Sequence, residues 1–177
     1  MLFRSNPNGN GRMFNNTIEA SFRFVEGAQV TFEDLWFKVG GNYTTLLLWN
    51  SSDIICKQVY FEATTPTNNE FFIYMDTHSK MTLDGVGMKV PEKHQSAIGM
   101  SASELSIRNS TIFSKIKLNE GSKLTLENVH IEKFGNNTIH AKDSEVIAKN
   151  STGRPAGLAG WLAWLACLAW LAGWLGW

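Results

Sequence analysis

The chain has 177 residues, 44% of them hydrophobic, and its sixteen basic and sixteen acidic side chains cancel at neutral pH. That length suits one domain, and balanced charge without a basic stripe argues against nucleic-acid partners held through phosphate contacts. Cys56 and Cys167 lie in segments of unlike character and form neither a disulfide framework nor a metal-ligand spacing, so no cofactor or metal is expected.

In chain order, residues 1–19 come first. They contain no apolar stretch of signal-peptide length, and the Asn- and Gly-rich run at 5–16 predicts a flexible lead-in. From residue 20 to 152 a frame recurs, apolar-x-apolar-x-x-apolar-x-apolar. It reads Val30/Phe32/Leu35/Phe37, Leu47/Trp49/Ser52/Ile54, Met81/Leu83/Val86/Met88, Leu105/Ile107/Ser110/Ile112 and Leu124/Leu126/Val129/Ile131. A weaker copy stands at Val146/Ala148/Ser151. The copies begin 17, 34, 24, 19 and 22 residues apart. The 34-residue gap predicts one further coil near Val59-Tyr60-Phe61, followed by a loop around 64–69.

Short alternating segments precede most copies: Phe22–Phe24, Phe71–Met75, Ile98–Met100, Ile116–Leu118 and Ile139–Ala141. Period-two alternation turns one face of each strand inward, and the two-residue step inside the frame breaks that alternation as a bend would. A repeat of roughly twenty residues built from short strands predicts an all-β solenoid whose coils stack about 4.8 Å apart. An ordinary β-sandwich of many short strands is the alternative.

The residue before the third apolar position reads Asp34, Ser51, Gly85, Asn109, Asn128 and Asn150, small turn-formers that tolerate left-handed backbone. Asn109, Asn128 and Asn150 are expected to stack as a ladder. One position earlier, Asp84, Arg108, Glu127 and Lys149 alternate in sign, which suits attraction between neighbouring coils.

On these residues the chain resembles the right-handed parallel β-helix superfamily, which includes pectate-lyase-like enzymes, phage tailspikes and autotransporter passengers. It bears a fainter resemblance to polymorphic outer-membrane proteins through Phe3-Arg-Ser-Asn6 and Phe134-Gly-Asn-Asn137, which fit FxxN. The second motif of that group is missing, with only Gly40-Gly41-Asn42 near it. The resemblance implies a right-handed parallel β-helix, and the length allows six or seven coils.

Many such folds cleave acidic polysaccharides, which requires converging carboxylates. Glu33, Asp34 and Asp84 fall on the bend columns, where turn and ladder roles explain them. Arg108 sits between Asp84 and Glu127 as a neutralising ladder member. His130 and His140 are expected on adjacent faces, and His78 and His94 have no evident partner. No nucleophile elbow, phosphate loop or zinc site is present. Trp36, Tyr60 and Tyr74 are candidates for outward rings that stack on sugars, or else that pack beneath the loop at 62–70. N-x-[ST] occurs at Asn15, Asn42, Asn50, Asn109, Asn136 and Asn150. Asn109 and Asn150 are the candidate glycosylation sites, although turn chemistry alone enriches that triplet at the bend.

From Pro155 to Trp177 the chain carries no charge and repeats Trp-Leu-Ala. As a helix those residues would span about 34 Å, enough for a bilayer core. The region 153–177 is therefore read as an apolar helical tail and a candidate membrane anchor, or as an appended low-complexity segment, or as a lipid-anchor signal cut near Ser151-Thr152-Gly153. The sequence points to a non-enzymatic β-helix repeat protein, membrane-associated or at the cell surface, for display, adhesion or glycan binding. Its expected partners are carbohydrate, another surface protein, the membrane, or a second copy end to end, because terminal coils expose unpaired strands. The alternatives are a fragment of a polysaccharide lyase or glycoside hydrolase, and a truncated reading frame without function.

Overall fold

The computed structural model describes residues 10–14, 17–18, 22–39, 46–63, 71–89, 96–132, 139–152 and 155–156. They form a parallel β-solenoid whose successive coils contribute strands to three sheets of seven, six and seven strands. The first sheet is β1 (Asn10–Phe14), β4 (Gln29–Glu33), β7 (Asp53–Lys57), β10 (Lys80–Asp84), β13 (Glu104–Arg108), β16 (Lys123–Glu127) and β19 (Glu145–Lys149). The second is β2 (Thr17–Ile18), β5 (Trp36–Val39), β8 (Tyr60–Ala63), β11 (Gly87–Lys89), β14 (Thr111–Phe113) and β17 (His130–Glu132). The third is β3 (Phe22–Phe24), β6 (Leu46–Leu48), β9 (Phe71–Met75), β12 (Ser96–Ser101), β15 (Ile116–Asn119), β18 (Ile139–Ala141) and β20 (Pro155–Ala156).

Val30, Ile54, Met81, Leu105, Leu124 and Val146 stand in register along the first sheet. In these strands the alternate side chains point inward, as period two requires. Phe37 stacks on Phe61 one coil on, with centroids 5.0 Å apart and planes 12° apart. Phe32 meets Phe37 edge to face at 5.1 Å, so rings fill the early coils and Ile, Leu and Met the later ones.

The inward side chains are buried on all three sheets for about four turns, from β4 to β15. The expectation of six or seven equivalent coils is corrected to that extent. Leu124, Leu126, Val129, Ile131 and Ile139 continue the core beyond β15, and Ala141, Val146 and Ala148 pack against it partly buried.

Three other expectations change. Leu47/Trp49/Ser52/Ile54 is not a frame. Leu46 and Leu48 point inward in β6, and Ile54 begins the frame Ile54/Cys56/Val59/Phe61. Leu46-Leu47-Leu48-Trp49 is apolar at consecutive positions, so alternation alone fits either parity, and a one-residue slip inverts every side chain. The coil expected at Val59-Tyr60-Phe61 is this same coil. Secondly, Asn10–Phe14 and Thr17–Ile18, in the segment expected as a flexible lead-in, pair as strands with β4 and β5. Thirdly, Pro155 and Ala156, where the apolar helix was expected to begin, pair in parallel with Ile139 and His140. Residues 157–177 lie outside the described ones, and no helix among the described residues is long and apolar enough to cross a membrane.

Two corners are regular. Between the first and second sheets, Asp34, Gln58, Gly85, Asn109, Asn128 and Asn150 all have positive φ, from 47° to 66°. Gln58 replaces Ser51 in the expected column. Between the third and first sheets, the corner takes two left-handed residues (Glu26–Gly27, Asn50–Ser51, Thr77–His78, Glu120–Gly121) or one (Ala102, Asp143). A column of small residues closes this corner: Ala28, Ser52, Ser79, Ser103, Ser122 and Ser144. Where two residues are left-handed the serine hydroxyl donates three residues back, as Ser79 does to the Asp76 carbonyl at 2.7 Å. Where one is, it donates two residues back, as Ser103 does to Ser101 at 2.8 Å. Every buried polar residue among the described ones is a serine. The third corner is the variable one, and its shortest described form, Ser114–Lys115, accounts for the short coil between Leu105 and Leu124.

Candidate functional site

The outer face of the first sheet is a structural lattice. Glu33, Lys57, Asp84, Arg108, Glu127 and Lys149 alternate in sign along one edge. Lys57 meets Glu33 at 3.4 Å, and Glu127 lies between Arg108 at 4.0 Å and Lys149 at 3.5 Å. The opposite edge alternates too, with Lys80–Glu104 and Lys123–Glu145 both at 3.2 Å. These exposed pairs each contribute about 0–1 kcal/mol and mainly disfavour slipped registers.

The candidate glycosylation asparagines occupy the left-handed corner beside it. Asn109 Nδ2 donates to Asp84 Oδ1 at 3.0 Å, and Asn128 Nδ2 donates to Asn109 Oδ1 at 3.2 Å. The amide that a glycan would modify at Asn109 is thus engaged in the stack. Asn150 is exposed in the same column. Asn15, Asn42 and Asn136 lie outside the described residues.

His130 and His140 sit on different sheets, in β17 and β18. His130 Nδ1 is 2.6 Å from Thr152 Oγ1, and its Nε2 is 3.7 Å from Glu132. His78 lies at the left-handed corner between the third and first sheets, and its amide donates to the Ala102 carbonyl at 2.8 Å. His94 lies outside the described residues. Cys56 is fully buried in the core, and burial pushes its thiol far above the ordinary thiol range.

The aromatic candidates fall into two places. Trp36 and Tyr60 are neighbours across β5 and β8, 44% and 38% exposed, with ring centroids 6.0 Å apart at 75°. The next outward position in the column is Gly87, and the Tyr60 ring leans into its side-chain space: a β-carbon there would fall 2.6 Å from Tyr60 Cδ2 and 3.0 Å from Cε2. These distances, with Cγ at 3.9 Å, place the Cδ2–Cε2 edge of the ring in the space that a side chain at 87 would take. With Trp36 meeting it in an edge-to-face pair, the two rings form an exposed apolar patch, the platform of this sheet.

Tyr74 stands elsewhere, on the outer face of the third sheet. It borders a groove of about 430 Å³ with Asp76, Ser101, Asn119, Glu120, Lys142 and Asp143. Geometry explains the hollow. The column beside Tyr74 reads Trp49, Asp76, Ser101, Asn119, with a short hydroxyl in the middle, and Gly99 follows Tyr74 in its own column. At Trp49, one coil before Asp76 in that column, Arg23 lies 4.1 Å over the ring in a cation–π contact. Apart from Tyr74, these groove residues were not singled out from the sequence. With Ile54 placed at the start of its frame, their column would have aligned from the sequence alone.

No group of three or more His, Cys, Asp or Glu side chains among the described residues is placed to share a metal ion. No family model, curated protein or solved structure matches the chain.

Proposed function

We propose that this chain is a non-enzymatic β-solenoid that binds glycans, as an adhesive or display module at a membrane or cell surface. The observation that carries the reading is the Trp36–Tyr60 platform. Two large rings remain exposed beside each other on the second sheet, and one of them leans into the space left by Gly87. Aromatic faces held at low conformational cost are suited to the apolar faces of pyranose rings. We read the winding as right-handed, since parallel crossovers overwhelmingly are, and the architecture as pectate-lyase-like on the repeat described above. Surface association rests on the uncharged segment that follows Ala156.

The test is binding of the full chain to a panel of soluble oligosaccharides, beside the Trp36→Ala/Tyr60→Ala double variant. Binding by the parent that the double variant loses supports the platform. Equal binding by both removes it. Liposome flotation of the full chain against a chain ending at Ala156, which retains β20, tests the surface reading.

One observation favours a second reading, a fragment of a polysaccharide-cleaving enzyme: Asp76, Glu120 and Asp143 border a single groove. New reducing or unsaturated ends from uronic-acid or neutral polymers would establish it.

A further inference from the structure

The geometry points to a second saccharide site, in the groove beside Tyr74, selective for amino sugars such as a β-linked glucosamine oligomer. This inference rests on the glycan-binding reading and adds a place and a chemical class to it. A volume of about 430 Å³ is within the range of small-ligand sites and holds one or two sugar rings.

The walls divide the work. Tyr74, half-buried in β9, supplies an aromatic surface at one side. The floor is Ser101, itself buried, whose hydroxyl donates to Glu120 Oε2 and so fixes that carboxylate at the rim. Asp76 is held by a 2.7 Å bond from the Thr77 amide to its Oδ1. Asn119 offers an amide with both donor and acceptor, the pattern that reads sugar hydroxyls.

Charge selects the class. Three carboxylates, Asp76, Glu120 and Asp143, face one ammonium, Lys142. A uronic or sialic acid would meet net repulsion there, whereas a protonated amine on the sugar meets carboxylates that form charge-assisted hydrogen bonds. The same carboxylates are not placed to share a metal ion, so a ligand that engages them together must itself be extended. An oligomer with an amine on every ring meets that requirement.

The test uses the full chain and calorimetric titration with glucosamine tetramer, glucose tetramer and galacturonate tetramer, in mildly acidic buffer where the amines are charged. The key variant is Asp76→Asn/Glu120→Gln/Asp143→Asn. It removes the charges and keeps the shape: asparagine accepts the left-handed backbone at 143, and glutamine still accepts from Ser101. The parent is expected to bind the glucosamine oligomer most tightly, the galacturonate oligomer least, and with affinity that falls as salt rises. The triple variant should lose about tenfold or more for glucosamine with little change for glucose, and keep the parent's melting temperature. Glucosamine affinity unchanged in the triple variant, or galacturonate bound as well as glucosamine, overturns the groove assignment. If Trp36→Ala/Tyr60→Ala alone abolishes binding, the platform stands and the groove falls. If the parent binds none of the three oligomers, both readings fall.

Discussion

The edge of the Tyr60 ring occupies the space where a side chain at Gly87, one coil further along the solenoid, would project. The two residues make a single device, since the ring edge can occupy that space only because its neighbour has no β-carbon. Gly87→Ala should lift the ring and disturb its edge contact with Trp36. The near-UV dichroism of the pair should weaken and oligosaccharide affinity should fall. Stability should move by only about 0.5 kcal/mol, because Tyr60 is free to swing into solvent.

A similar relation exists at the neighbouring corner, where the Gln58 side chain overlies Gly85, with Cδ 2.8 Å from a β-carbon built there. Gly85→Asn alone should gain little or lose stability, because the new side chain meets Gln58. Gln58→Asn together with Gly85→Asn should extend the asparagine column and exceed the sum of the single effects by about 0.5 kcal/mol or more. A urea double-mutant cycle measures the coupling, and additivity would show that the two side chains do not compete.

The serine column should carry measurable stability. Ser79 is fully buried and satisfies the Asp76 carbonyl. Ser79→Ala should cost about 1 kcal/mol in chemical denaturation. Ala28 already occupies the same column, so the cost comes from the lost hydrogen bond rather than from misfit. Ala28→Ser should stabilise the first turn if its hydroxyl reaches a carbonyl as its neighbours' do.

Leu126 and Arg108 separate core from lattice. Leu126→Asp places an unpaired charge between coils and should unfold the domain, a loss of several kcal/mol visible in far-UV dichroism. Arg108→Ala removes one exposed partner of Glu127, which keeps Lys149, and should cost less than about 1 kcal/mol. Parent-like melting of Leu126→Asp would disprove the inward register.

Cys56 makes a prediction about pH. Its thiol is held neutral by burial in the folded chain, so its folded pKa stands above the unfolded one. Its contribution to stability is complete below the unfolded thiol pKa, about 8.5, and declines as pH rises above it, because only the unfolded chain releases the proton there. In a Cys167→Ser background, thiol labelling at alkaline pH should proceed at the rate of unfolding. Fast labelling of the folded chain would contradict the burial.

Much of the fold was legible because a solenoid writes its geometry locally. The frames at Val30, Met81, Leu105, Leu124 and Val146, the left-handed residues at Asp34, Gly85, Asn109, Asn128 and Asn150, and the sign alternation from Asp84 to Lys149 are set by residues a few positions apart. They need only period two and turn chemistry to be read. The second coil is ambiguous in sequence where Leu46 to Trp49 are all apolar, since parity there is decided by which residues face Phe24 and Met75 across the sheet.

The sequence by itself determined the repeat, the inward faces of most coils, and Trp36, Tyr60 and Tyr74 as aromatic residues available to a surface. Only the tertiary structure decided that Trp36 and Tyr60 pair beside Gly87 while Tyr74 borders a groove on another sheet. The reason is that stacking makes neighbours of residues 19 to 27 positions apart, and loops of unequal length at the third corner shift that spacing from coil to coil. Local pattern reveals which way a side chain points, whereas only the register between coils reveals what stands beside it.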